Sequence, residues 1–130
     1  MNPTELLRVD ILMDLAHDDV GLWEVAWRAR TLFPVSDPEE QGSIAYAAVD
    51  GLVMSGEAIL LAPEAPDTPV SLLGIWRESR GWLGDPPDTR LWLAMTATGE
   101  IALSALDPAL VRELTRSLPD GRSTAKDQQR

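Results

Sequence analysis

At four points along this 130-residue chain, an Asn or Asp is followed directly by proline, and one of them, Asp85 before two prolines, indicates a break between elements. An Asn or Asp side chain accepts a hydrogen bond from a free backbone N–H at the start of a helix, and proline fits the first helical position. The pairs Asn2-Pro3, Asp37-Pro38 and Asp107-Pro108 therefore predict three helix starts, from the beginning of the chain to near its end.

The spacing of apolar residues predicts the extent of these helices and adds a fourth. Phe33-Pro34 ends the second helix, because a residue before proline avoids the helical conformation. Gly56 is placed for a left-handed cap after the third helix. The four helices are expected over about residues 3–16, 20–32, 38–55 and 108–118.

Two short apolar runs predict strands, at Glu57–Ala62 and at Arg90–Thr96. The segment 70–83 between them is ambiguous between helix and strand, and its leucine and tryptophan spacing favours a short inserted helix. Ala97-Thr98-Gly99 is expected to turn the chain. The residues after this turn, up to Ser104, then return as a strand or form the first turn of a helix.

Three stretches carry a resemblance to winged helix-turn-helix domains. AAVDGLVMSGEAILL, residues 47–61, resembles the end of the third helix of that family, where an apolar row meets a Ser-Gly stop before a strand. Met95-Thr96-Ala97-Thr98-Gly99 resembles the L-T-x-x-G signature that closes the wing. GLWEVAWRAR, residues 21–30, looks like small uncharacterised bacterial proteins of this type. The likeness covers about residues 4–104.

The resemblance implies an α+β, winged-helix-like fold in a single domain over residues 1–118. Three N-terminal helices would precede a small antiparallel sheet, the wing, with an inserted segment and a C-terminal helix. Residues 119–130 are expected to be a mobile polar tail. A different small α+β domain is the alternative. In the family, the third helix enters the DNA major groove, and homodimers form through terminal helices.

Charge argues against a DNA-binding role for this chain. It has 21 acidic and 11 basic residues, a formal net charge of −10 and a pI near 4.4. Between Arg30 and Arg77 there are seven acids and no Lys or Arg. Such a surface repels a polyphosphate and attracts a cationic partner. The simpler interpretation is that the acidity keeps a bacterial-type protein in solution.

The predicted third helix lacks the usual chemistry of a DNA reader. Its N-terminal part, DPEEQGSIAY, holds three acids and no base, although bases are read by this part of a recognition helix. A DNA-binding transcriptional regulator is therefore the second hypothesis. Its candidate nucleic-acid contacts would be Gln41, Ser43, Tyr46, Arg77, Arg80 and Arg90.

Catalytic and metal-binding groups are sparse. The one histidine, His17, precedes Asp18 and Asp19, but adjacent residues rarely converge on one ion and no second histidine could complete a zinc site. Glu39 and Glu40 point about 100° apart on a helix and are explained by the helix dipole. We expect no enzyme activity, no cofactor and no metal.

The chain has no cysteine, no run of apolar residues long enough to span a membrane, and no basic leader at its N-terminus. A cytoplasmic protein is the simplest interpretation.

Five of the seven aromatic residues are tryptophans, which fill small cores but also anchor protein interfaces. Both roles remain open. The sequence thus predicts a non-enzymatic, acidic interaction module with a protein partner, cationic in one version of the hypothesis. Nucleic acid and membrane are not expected partners. The candidate partner-binding residues are Glu39, Glu40, Asp50, Trp76, Trp82 and Trp92.

Overall fold

The computed structural model describes residues 2–63, 69–78, 80–83 and 90–117. Helices combine with a small antiparallel sheet, which confirms the α+β class. The predicted tail over residues 119–130 and the end of the last helix at Leu118 lie outside the described residues. In chain order the elements are α1 (Pro3–Leu15), β1 (Val20–Gly21), α2 (Leu22–Leu32), α3 (Pro38–Met54), β2 (Ala58–Leu61), α4 (Pro69–Glu78), a 3-10 helix (Gly81–Leu83), β3 (Trp92–Met95), α5 (Ala97–Ser104) and α6 (Pro108–Ser117).

The three predicted helix starts are confirmed. Asn2 accepts a hydrogen bond from the backbone N–H of Glu5 at 2.9 Å, at the start of α1. Asp37 accepts from Glu40 at 2.8 Å, at the start of α3. Asp107 caps α6 in the same way, through the backbone N–H of Ala109 at 2.9 Å. At the other end of α3, Gly56 has the predicted left-handed conformation, with φ +77°.

The predicted start of α2 was wrong by two residues. Val20 and Gly21 form the short strand β1, and α2 begins at Leu22. The N-cap is Gly21, which forms no side-chain capping bond. Val20 is buried and pairs with Leu93, and Leu22 donates its backbone N–H to the Leu91 carbonyl at 3.1 Å. Pairing with a strand distant in sequence therefore overrides the local helical pattern.

The sheet has the order β1-β3-β2, and both pairings are antiparallel. Leu93 is at its centre, opposite Val20 on one side and Leu60 on the other. Leu91 and Leu93 are buried, whereas Trp92 between them is only partly buried. Side chains alternate along a strand, so Trp92 lies on the face opposite the two leucines.

The predicted wing hairpin is not formed. Residues 97–104 form helix α5, so the predicted turn at 97–99 is wrong and the helical one of the two alternatives for the residues up to Ser104 is found. The reason is the chemistry of Thr96, whose hydroxyl accepts the backbone N–H of Gly99 at 3.0 Å and caps the helix. A Thr-x-x-Gly spacing suits such a cap as well as it suits a turn. The antiparallel partners β2 and β3 are instead connected through the inserted segment that contains α4.

Gly99 allows α5 to pack closely against the chain at Glu57. A β-carbon at position 99 would lie 2.1 Å from the Glu57 carbonyl oxygen and 2.6 Å from the Met95 sulfur. The same Glu57 carbonyl accepts the backbone N–H of Thr96 at 3.2 Å. The glycine is therefore required by close approach at the junction between β2 and α5.

A buried ion cluster joins α1 to α2. Asp10 and Asp14 are four residues apart on α1, and both are buried. Arg28 of α2 is also buried, with its Nε 3.5 Å from Asp10 and one terminal nitrogen 3.7 Å from Asp14. Its guanidinium carbon lies 5.3 Å from the centre of the Trp27 ring. Asp10 and Asp14 thus face α2.

We expect Gly99→Ala to lower the free energy of unfolding by about 1–3 kcal/mol, because the new methyl group has to displace backbone. Gly74→Ala is the matched control, since nothing lies within 4 Å of a β-carbon there and alanine favours the helix. Urea denaturation measures both variants. Equal stabilities for the two variants would contradict the close packing at Glu57.

We expect Arg28→Met to cost about 3–5 kcal/mol, because it removes the guanidinium that two buried carboxylates face. Arg30→Met is the control, since Arg30 is exposed on the same helix and its replacement should change stability by less than about 0.5 kcal/mol. The measurement is again the unfolding free energy in urea. Similar losses in both variants would show that the cluster does not hold α1 against α2.

Candidate functional site

The candidate site is the N-terminal half of α3. Asp37, Glu39 and Glu40 are exposed at its first turn, and Asp50 lies partly buried further along the same helix. Proline at the first position and the Asp37 cap fix where the helix begins, so the carboxylates project from a defined end. This end of α3 combines exposed negative charge with a rigid backbone.

The inserted segment lies over this end of α3. Arg80 places its Nε 2.9 Å from Glu39, with both side chains more than half exposed, at 61% and 57%. An ion pair so open to water contributes little to stability. Arg80 has φ +56°, the left-handed conformation that residues with a side chain rarely adopt.

A second arginine of the insertion also lies on α3. The guanidinium carbon of Arg77 is 4.5 Å from the centre of the Tyr46 ring, within the range of a cation–π interaction. Arg77 is the last but one residue of α4 and is exposed. Two cations of the insertion therefore contact α3, one through a carboxylate and one through an aromatic face.

Tryptophan packing holds the insertion in place. Trp82 of the 3-10 helix lies directly on Gly42 of α3, so close that a β-carbon at position 42 would be 1.9 Å from the indole ring. Trp82 meets Trp76 edge to face, with ring centroids 5.4 Å apart and planes at 67°. Trp76 is 1% exposed and belongs to the hydrophobic core. It is therefore not available to a partner in this conformation.

The contact between Trp82 and α3 leaves unfilled space. A cavity of about 140 Å³ lies between α2, α3 and the 3-10 helix. The Trp82 indole N–H is buried, yet it finds no hydrogen-bond acceptor in the described part of the chain. The residues lining this cavity are Ala26, Arg30, Pro38, Gln41, Gly42, Trp82 and Leu83.

Trp92, the third tryptophan among the candidates, belongs to a different element of the fold. It lies in β3, paired with Gly21 on one side and Leu61 on the other, and is partly buried. The tryptophans therefore do not form one exposed flank.

The candidate nucleic-acid contacts are only partly brought together. Gln41 is buried, and its side-chain amide donates to the Phe33 carbonyl at 2.9 Å, so it does not face outward. Ser43 is exposed on α3. Arg77 and Arg80 contact α3 as described, whereas Arg90 is exposed just before β3.

The bases near the N-terminus are used internally. Arg8 of α1 forms an ion pair with Glu57, and it also donates to the Ser55 hydroxyl at 3.2 Å. Arg28 is part of the buried cluster of α1 and α2. Of the three bases in residues 1–76, this leaves Arg30 exposed, on the rim of the cavity beside Trp82.

The contact of Trp82 with Gly42 was not predicted. A glycine inside a helix costs about 1 kcal/mol relative to alanine, so its presence signals close approach by another group. The group that approaches is an indole from a segment forty residues later, and periodicity cannot identify such a distant neighbour.

Within the described ranges, no group of three or more His, Asp or Glu side chains is placed to hold a metal ion. His17 is exposed after α1. None of the helices in that same part of the chain has the length and hydrophobicity needed to cross a membrane.

No protein-family model matches the chain, and neither a curated protein nor a solved structure resembles it significantly. Its site must therefore be interpreted from its own geometry.

We expect the insertion to be held by its tryptophans and not by its ion pair. Trp76→Ala should lower the unfolding free energy by about 3–5 kcal/mol, as for other large core residues. Arg80→Ala, which removes an exposed ion pair, should cost less than about 1 kcal/mol. Urea denaturation of both variants gives the comparison. A larger loss in Arg80→Ala would mean that charge, not packing, fixes the segment on α3.

Proposed function

We propose that this chain is a non-enzymatic, acidic interaction module of winged-helix-like architecture that binds a cationic protein partner through α3. The proposal rests on three exposed carboxylates, at the end of α3 where proline and an Asp cap fix the start of the helix. They belong to Asp37, Glu39 and Glu40. They lie in a segment of seven acids without a base.

The bases near the N-terminus do not offset the acids at the start of α3, because two of them are paired with acids elsewhere in the fold. Arg8 and Arg28 are bound to acids within the fold. The acids at the start of α3 have no such internal role beyond the cap made by Asp37 and the exposed pair of Glu39 with Arg80. Clustered, exposed charge of one sign attracts a partner of the opposite sign and speeds encounter.

The insertion provides an intramolecular example of what α3 can bind. Arg80 lies against the Glu39 carboxylate, and Arg77 lies over the Tyr46 ring. Both contacts are ones that arginines of a partner protein commonly make. A basic segment of another protein could use the same two groups.

The order of elements supports the winged-helix-like part of the proposal. Three helices are followed by two antiparallel strands, β2 and β3, with an insertion between them. The insertion contacts α3, the helix that the resemblance would place in the DNA major groove.

A DNA-binding transcriptional regulator is the second candidate, because Arg77 and Arg80 do bring positive charge to α3. Two features weigh against it. Arg80 is paired with Glu39, and Gln41 is turned toward the Phe33 carbonyl. Several unpaired bases along the phosphates are needed for stable DNA binding.

The proposal predicts that carboxylates on α3 govern binding of a cationic peptide. We expect the double variant Glu39→Gln, Glu40→Gln to weaken binding of a fluorescent oligoarginine peptide about fivefold at low salt, since each exposed ion pair contributes roughly 0.5 kcal/mol. Fluorescence anisotropy measures the affinity.

The matched control removes the same charge elsewhere. Glu5 and Glu100 are exposed on α1 and α5, so Glu5→Gln, Glu100→Gln changes the net charge equally. This control should bind the peptide nearly as well as the unmodified chain. Equal weakening in both double variants would show that the peptide senses only net charge, and the proposal would fail.

A further inference from the structure

The contact between residues 80–83 and α3 is incomplete in three separate ways. Among the described residues, a cavity of about 140 Å³ lies beside Trp82 between α2 and α3. The buried indole N–H of Trp82 has no acceptor among the described residues, although buried donors are normally paired. Arg80 reaches Glu39 only from a left-handed backbone conformation. Each feature reduces the stability of the docked segment.

The rest of the insertion is held more firmly. Leu73 and Trp76 of α4 are buried in the core. The 3-10 helix beyond them ends in Leu83, which is half exposed. Residues 80–83 are therefore less buried than the core residues of α4.

The surface beneath residues 80–83 combines a small apolar patch with exposed carboxylates. Gly42 offers a flat patch on which an aromatic ring lies, and the cavity next to it is walled by Ala26 and Pro38. Carboxylates of Glu39 and Glu40 are exposed on the same turns of α3. The site thus suits an aromatic side chain accompanied by an arginine.

We propose that this pocket between α2 and α3 is the docking site for an arginine-aromatic segment of the cationic partner, and that residues 80–83 are its displaceable intramolecular occupant. This inference rests on the proposed function and specifies its partner. A competing segment that fills the cavity, and whose own polar groups are paired, would replace Trp82 on Gly42. Its arginine would take the place of Arg80 at Glu39.

The probe is a fluorescein-labelled peptide with the sequence of residues 76–83, WRESRGWL. Trp82→Ala in the full chain empties the pocket and removes the internal competitor. If that competitor is docked at least nine-tenths of the time, the peptide should bind this variant about tenfold more tightly than it binds the unmodified chain. Fluorescence anisotropy gives both affinities, and circular dichroism checks the fold.

Two controls test the site itself. Gly42→Ala added to Trp82→Ala places a methyl group where the ring lies, so the gain in affinity should disappear. A peptide with alanine in place of its second tryptophan should bind neither protein. Unchanged affinity in Trp82→Ala, or a gain that survives Gly42→Ala, would overturn the proposal.

If Trp82→Ala does not fold, an NMR measurement on the unmodified chain tests the proposal instead. The indole N–H resonance that is absent from the spectrum of Trp82→Phe identifies Trp82. Saturating peptide should shift this resonance, because the peptide displaces the side chain from Gly42. A resonance that stays in place while the peptide binds would contradict displacement, and a peptide that does not bind at all would equally overturn the proposal.

The two proposals fail separately. If Glu39 and Glu40 govern oligoarginine binding but Trp82→Ala gains no affinity for WRESRGWL, the pocket is wrong and the acidic interaction surface stands. If oligoarginine binding does not depend on those two carboxylates, the proposed function itself fails.

Discussion

The interaction on which the arrangement of helices depends is the burial of Arg28 between Asp10 and Asp14. A buried charge without a partner is strongly destabilising, so α1 and α2 must pack with these groups facing one another. With Asp10 and Asp14 facing α2, α1 also packs on α3 and on β3 of the sheet. Burial of Arg28 also removes one of the three N-terminal bases from the surface, and the ion pair of Arg8 with Glu57 engages a second.

The negative charge at the start of α3 follows from the distribution of acids and bases along the chain. Acidic residues outnumber basic residues in the chain. The negative charge is most concentrated from residue 31 to residue 76, where the sequence has no Lys or Arg. The helix α3 begins in that interval and carries its acids at the end where proline and Asp37 fix its start. Arg77 and Arg80 of the insertion contact the N-terminal half of α3. An aromatic contact on Gly42 places them there.

Local chemistry could be predicted from the sequence, and long-range contacts could not. The caps at Asn2, Asp37 and Asp107 were predicted because each depends on residues within one helical turn. The strand β1 was missed because two residues join a sheet only when Leu93 arrives from seventy residues later. A turn was predicted after Thr96, but a Thr-x-x-Gly spacing suits a helix cap as well as a turn, and in the structure it caps α5. The acidic residues at the start of α3 were predicted from the sequence. The pocket beside Trp82 was not, because it depends on tertiary packing.

The central claim is that α3 presents an acidic surface to protein and does not read DNA. The most direct test is a titration of the full chain with duplex DNA at low salt, repeated as the salt concentration is raised. The account predicts no binding at submicromolar protein under any of these conditions, because α3 offers carboxylates where phosphates would lie. Submicromolar binding that weakens steeply with salt would contradict it, since that dependence is produced by bases that neutralise phosphates.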